Sequence, residues 1–217
     1  MRDHRNEDPG LQYFGKLSAA ATHDLSNVIA IIREYSGLMN DLLAPLQPGQ
    51  PVDIEKFKNI ADKINAQTIR GNTILKRFNR FSHTTDSPRK LVNLSEILQD
   101  VSDLHYRFAS LLSIEITVEF TDEPVEMETD PFMLMLACGK CLDICLSSNN
   151  RNGRIRIGCD VEKGTIRLFF KTDDSVIDDD FENKVISVRE YVEPIDGNVE
   201  IESNDELEIS IHIPFPG

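Results

Sequence analysis

Two runs of apolar residues, each stepping by three and four, occupy most of the first 80 positions and allow little besides a pair of long helices. In the first, Phe14, Leu17, Ala21, Leu25, Val28, Ile32, Tyr35, Met39 and Leu42 share one stripe between Leu11 and Leu43. In the second, Ile54, Phe57, Ala61, Ile64, Thr68, Gly71, Leu75 and Phe78 follow a heptad-like seam behind Asp53, a residue suited to cap a helix N-terminus. The intervening segment APLQPGQP, residues 44–51, carries three prolines and a glycine and cannot continue a helix. The spacing predicts an antiparallel helical hairpin whose arms are each ~42 to 48 Å long at about 1.5 Å per residue. Such a hairpin has no closed core. Pairing with a second copy, to give a four-helix bundle in a homodimer, is the expected way to bury both stripes.

Beyond the linker TTDSPRK the periodicity changes. Short strands are predicted over Leu91–Leu94, Ile114–Phe120 and Val125–Met127, with helices over Ser95–Leu112 and Pro131–Ser148. Strands over Arg154–Val161 and Thr165–Lys171 flank Glu162, Lys163 and Gly164, a hairpin turn signal. A helix over Asp180–Val192 and a last hairpin, Asn198–Ser203 with Glu206–Ile213, follow. Helices segregate from a mostly antiparallel sheet, so the fold class is α+β with two domains: a helical hairpin over 11–88 and an α/β sandwich over 89–217.

Charge divides the chain at the same place. Through Lys90 there are 13 Lys and Arg against 10 Asp and Glu, a net +3; the remainder holds 10 against 27, a net -17. A lobe at that charge repels polyanions, which argues against nucleic acid as a partner. No apolar run is expected to reach the ~18 residues of a membrane span, and the opening MRDHRNEDPG lacks the apolar stretch of a signal peptide, so the expected location is the cytoplasm, with no membrane partner. Cys138, Cys141 and Cys145 crowd one helix and Cys159 stands alone, poor geometry for disulfides. Beside Leu134 and Leu142 they read as free thiols in a core rather than metal ligands. The run Asp178, Asp179, Asp180 reads as the N-terminal cap region of the next helix, against a cation site. His83 and His212 have no evident acidic or thiol partner at ligand spacing.

The chemistry concentrates on one turn of the first helix. With Ala21 at 0° and about 100° per residue, His23 falls near ~200° and Asn27 near ~240°, away from the apolar stripe. An imidazole displayed on a rigid helix is an accessible nucleophile, and Asp24 beside it can orient the ring or take its proton. Asn27, one turn along, can reach a group carried by His23. Polar Thr22, His23, Asp24, Ser26 and Asn27 interrupt an otherwise apolar helix.

The segment GKLSAAATHDLSNVIAIIREYSGLMNDLL resembles the phospho-acceptor helix of two-component sensor histidine kinases, and the second helix, ending in LKRFNRFSH, resembles the second helix of the same dimerisation domain. The resemblance implies His23 as the phosphorylated residue, Asp24 as its acidic partner, and Asn27 as the residue that helps position water when a response regulator is dephosphorylated. TDPFMLMLACGKCLDI and DGNVEIESNDELEISIHIPFP are similar to parts of the kinase ATP-binding domain. There the family's asparagines that hold Mg and phosphate fall on Lys140 and Ile144, and its Asp-x-Gly-x-Gly loop on Thr172, Asp174 and Val176. None of these matches, the glycine-rich lid is missing, and isoleucine cannot ligate a hard cation. The resemblance therefore implies a kinase-like protein with a degenerate ATP-binding domain, similar to dimeric histidine phosphotransferases. It would relay a phosphoryl group between response-regulator aspartates through His23 without binding ATP or a metal of its own, the Mg residing on the partner receiver. Basic residues of the second helix, among Lys56, Lys63, Arg70, Lys76 and Arg77, would attract the receiver's acidic pocket. The alternatives are a non-catalytic module that binds or regulates a kinase or response regulator, and a receiver phosphatase using Asn27.

Overall fold

The computed structural model describes residues 9–47, 50–121, 123–149, 152–173, 177–203 and 206–215. The chain forms two compact units, divided between Arg80 and Phe81.

The first unit is a helical hairpin of α1, Pro9–Leu43, and α2, which starts at Ile54 and ends at Ser82, its last two residues belonging to the second unit. Asp53 caps α2 by accepting the Lys56 backbone N–H at 3.1 Å, which leaves one fewer orphan donor in the first turn. The antiparallel pairing follows from the contacts. Phe14 near the start of α1 meets Phe78 near the end of α2, ring centroids 6.1 Å apart. Midway, Gly71 lies under Leu25 and Val28, and a Cβ there would approach Val28 Cγ1 to 3.2 Å. Every residue of the predicted α1 stripe is buried or half-buried. On α2 the inward seam runs Phe57, Ile60, Ile64, Gln67, Gly71, Ile74 and Phe78. The predicted seam is corrected at alternate positions: Ile54, Ala61, Thr68 and Leu75 face outward. Four positions are common to both heptads, and the other four belong to a second face of the same helix.

The second unit places α3 (Leu94–Leu112), α4 (Pro131–Ser148) and α5 (Phe181–Val192) against a five-stranded sheet. Its strands are β2 (Glu115–Glu119), β4 (Arg154–Glu162), β5 (Thr165–Thr172), β6 (Asn198–Ser203) and β7 (Leu207–Pro214), in the order β2-β4-β5-β7-β6. β2 and β4 are parallel and the other neighbours antiparallel. β1 (Lys90–Asn93) and β3 (Glu126–Thr129) form a separate two-stranded ribbon. An α+β fold is thus present, with predicted and observed element ends agreeing to within one or two residues at most boundaries.

Strand alternation sorts the side chains. Ile155, Ile157, Ile166, Leu168, Phe170, Ile209, Ile211 and Ile213 are buried in the core. The opposite face carries ion pairs, Arg167 bridging Asp160 and Glu208 and Lys171 reaching Glu208 at 2.9 Å. On that face the Phe169 ring lies over Gly158, flanked by Lys171 Nζ 5.1 Å from its centroid. The predicted turn holds Lys163 and Gly164 at φ 50° and 79°, the pair of positive values a type I′ hairpin needs.

α4 is the core helix. Its 18 residues reach a mean hydropathy of 1.4 and are 72% buried within the protein. This corrects the expectation that no segment approaches membrane length: burial against the sheet selects the same composition as lipid does. Cys138, Cys141 and Cys145 are buried there as free thiols.

Candidate functional site

Helical phase decides what α1 shows to solvent. Leu25 and Val28 turn toward α2, so His23 and Asn27 emerge on the outer side, His23 with 53% of its side chain exposed and Asp24 with 20%. Residues four apart lie one above the other on a helix, and the Asn27 Nδ2 amide meets His23 Nδ1 at 3.1 Å. An amide N–H₂ can only donate, so Asn27 donates to the ring. Asp24 Oδ1 stands 3.6 Å from the same Nδ1. Ser26 is occupied locally, donating to the Thr22 carbonyl at 2.9 Å. The three predicted residues therefore form one cluster, His23 and Asn27 exposed and Asp24 half-buried, with both contacts made to Nδ1 of the ring. On α2, Lys56, Lys63, Arg70 and Lys76 are exposed and Arg77 is half-buried.

In the second unit the positions read as nucleotide-binding hold other things. Ile144 is 3% exposed. Lys140 is half-buried. Thr172 is fully buried, and its hydroxyl is engaged by the Asn149 amide and by the Asp173 carbonyl. Asp174 and Val176 lie outside the described residues. The acidic run does not cap α5 as expected: Asp180 makes no side-chain cap bond and instead accepts from Asn183, while Asp178 binds Lys184 at 2.6 Å. The Lys184 ammonium holds the Asp178 carboxyl below its usual range.

Burial pushes the Cys138 and Cys145 thiols up to about 12 and raises Cys141 well above its ordinary value, which removes the thiolate needed for nucleophilic or metal chemistry. Among the described residues no group of three or more His, Cys, Asp or Glu could hold a metal ion.

Two readings of histidine are corrected. His83 does have an acidic partner, Asp86 at 2.8 Å, and His212 lies 3.0 Å from Ser210 and 3.5 Å from Glu200. Strand pairing and the short 3-10 helix His83–Asp86 supply these neighbours. The sequence reading missed His105 altogether. It is fully buried on α3, donates from Nδ1 to the Val101 carbonyl at 2.7 Å, and sets Nε2 3.4 Å from Asp143 on α4. A lone acid within CLDICL was the available signal, since a carboxylate on a core helix calls for a partner.

No protein-family model and no curated protein matches the chain. Solved structures do. The catalytic domain of histidine kinase ThkA aligns at 16% identity and TM-score 0.52, covering 59% of this chain and 97% of that one. Acinetobacter baumannii histidine kinase AdeS aligns at 13% identity and TM-score 0.52 over 90% of this chain and 98% of its own. The chain has a histidine kinase-like fold. ThkA in complex with response regulator protein TrrA aligns over 98% of this chain and 64% of that one, at 18% identity and TM-score 0.51. A histidine kinase-like fold would lead one to look for a magnesium nucleotide, and among the described residues the positions read as nucleotide-binding do not fit one. Ile144 offers no oxygen, Lys140 offers a cation, and the Thr172 hydroxyl is already bonded.

Proposed function

We propose that the protein is a histidine phosphotransferase that relays a phosphoryl group between response-regulator aspartates through His23, without ATP-dependent autophosphorylation. The observation that carries this reading is the His23–Asp24–Asn27 cluster on a hairpin helix, with the His23 ring exposed, in a chain whose kinase-like lobe has residues that do not suit a nucleotide. The His23 Nε2 lone pair attacks the phosphorus of a receiver's aspartyl phosphate, the P–O bond breaks, and the aspartate leaves as carboxylate. A receiver-bound Mg would neutralise charge on the moving group. Support for receiver partners comes from ThkA, a structural neighbour solved with its response regulator, and from exposed Lys56, Lys63, Arg70 and Lys76 on α2, which favour encounter with an acidic pocket.

Homodimerisation of the hairpin into a four-helix bundle belongs to the same proposal. It is supported by the outward Ile29, Ile54, Ile69 and Leu75, between 44% and 77% exposed in the single chain. A cytoplasmic location follows from the partners proposed.

The test uses receiver domains charged with radiolabelled acetyl phosphate. Label should pass to the wild type and not to His23→Ala; equal labelling of both would overturn the proposal, as would labelling from ATP alone. A receiver-phosphatase reading, favoured by the Asn27 contact with the ring, predicts the opposite sensitivity: hydrolysis lost in Asn27→Ala and kept in His23→Ala.

A further inference from the structure

β2 stands at one end of the five-stranded sheet and pairs with β4 alone. Glu115 donates its backbone N–H to the Gly153 carbonyl, on the β4 side, at 3.1 Å. In a parallel ladder every second residue turns its backbone groups to the same neighbour. Thr117 and Glu119 therefore follow Glu115 toward β4, and Ile116 and Val118 present N–H and C=O to the open side. Among the described residues no strand lies there. Natural edges are commonly blunted by proline or a bulge; β2 has no proline and keeps an unbroken register with β4 over all five residues.

Alongside this edge runs a groove of about 390 Å³ between β2 and α3. Gln99, Asp103 and Tyr106 line its helix side, and Ile116, Val118 and Phe120 its strand side. Tyr106 is 65% exposed and Phe120 61%, large apolar rings facing water in the single chain. An open strand edge with a helix as the far wall of an apolar groove is the arrangement in which an extended peptide adds as a further strand. Main-chain hydrogen bonds hold such a peptide, and every second side chain enters the groove.

Charge selects the occupant. On the outer sheet face β4 presents Arg154 and Arg156, and β2 presents Glu115 and Glu119, each 3.8 Å from one of those arginines. The next strand in that alternation is basic. Asp103 adds a carboxylate to the groove wall, and the chain beyond Lys90 carries a net -17, which draws cations to the whole lobe. A second copy fits badly: antiparallel pairing of two β2 strands about Thr117 sets Glu115 against Glu119, and like charges placed opposite are destabilising. We propose that the β2 edge and the α3 groove form a docking site for an extended basic segment of a partner protein. The segment adds beside β2 with apolar side chains in the groove at alternate positions and Lys or Arg between them over Glu115 and Glu119. The site lies wholly within the second unit and stands apart from the phosphotransfer reading of His23.

The experiment uses the ¹⁵N-labelled full chain and a capped seven-residue peptide alternating lysine with isoleucine or valine. Amide hydrogen exchange is followed residue by residue. Ile116 and Val118 should exchange fast in the free protein and at least tenfold more slowly with the peptide, while Thr117, already bonded to β4, should change little. The same peptide with glutamate for lysine should bind at least tenfold more weakly, and the difference should shrink as salt is raised. Tyr106→Ala should weaken binding of the lysine peptide several-fold by removing the ring from the groove. Val118→Pro, which removes an outward N–H that the β4 ladder does not use, should weaken it roughly tenfold; if that variant does not fold, Tyr106→Ala decides. Absence of binding at millimolar peptide, equal binding of the acidic peptide, or binding that leaves Ile116 and Val118 unprotected would overturn the proposal. So would slow exchange of those two amides in the free protein that quickens on dilution, which would give the edge to a second copy.

Discussion

A histidine with no water around it must find its partners inside the protein. His105 does so through Nδ1, which donates to the Val101 carbonyl, while Nε2 stands 3.4 Å from Asp143 Oδ1 where α3 packs on α4. Replacing it with alanine leaves a cavity and removes a partner from a carboxylate only 25% exposed. The expected cost is about 2 to 4 kcal/mol, read as a lower urea midpoint for the second unit. His212→Ala, on the outer sheet face, should change the same midpoint by no more than about 0.5 kcal/mol. These histidines also mark where sequence reasoning reaches its limit. The exposure of His23 is legible because helical phase is a local property, fixed by Leu25 and Val28 beside it. The surroundings of His105 depend on which helix packs next to α3, and no local pattern encodes that.

At the scale of elements, Gly71 shows how closely the two hairpin helices approach. An alanine there gains about 1 kcal/mol of helix propensity, and its Cβ would press Val28 Cγ1 at 3.2 Å, a distance one rotamer change can relieve. Gly71→Ala is therefore expected to be close to neutral. Leucine cannot be accommodated without separating the helices, and overpacking of this kind costs about 1 to 3 kcal/mol. Urea unfolding followed by helical dichroism should place Gly71→Leu well below both. The same helix explains a partial misreading. Its apolar residues lie on two adjacent faces, and a strict 3-4 count selects Ile54, Ala61 and Leu75 as readily as Ile60 and Ile74; only the partner helix decides which turns inward. The strands were easier, because Lys163 and Gly164 announce their turn and buried isoleucines alternate along β4 and β7. The pairing of β1 with β3 in a ribbon apart from the main sheet is set by chain path and had no local signature.

At the scale of the molecule, buried thiols and outward apolar side chains predict opposite kinds of behaviour, one under alkaline conditions and one on association. Cys138 and Cys145 keep their protons in the folded state up to about 12, against 9.0 ordinarily. Above the ordinary value the unfolded chain binds fewer protons than the folded one, so stability is fully present below about pH 9 and is lost as pH rises toward 12, at about 1.4 kcal/mol per pH unit for each thiol. Urea midpoints measured across that window should fall with pH, and Cys138→Ala should flatten the fall by one proton's share even from a lower starting stability. Association draws on the hairpin. Ile54 at 77% and Ile29 at 65% exposure are apolar surface on helices too long to stand alone. The homodimer proposed for this chain predicts a light-scattering mass of twice 24.6 kDa, and the pair Ile54→Glu with Leu75→Glu should reduce it to the monomer by placing charges where a second hairpin would pack. A wild type that stays monomeric at micromolar concentration would remove the bundle from the proposal. His23 lies on the outer side of its own hairpin, so a folded monomeric double variant is expected to accept label from a phosphorylated receiver still; loss of transfer in that variant would mean that the second copy supplies part of the site.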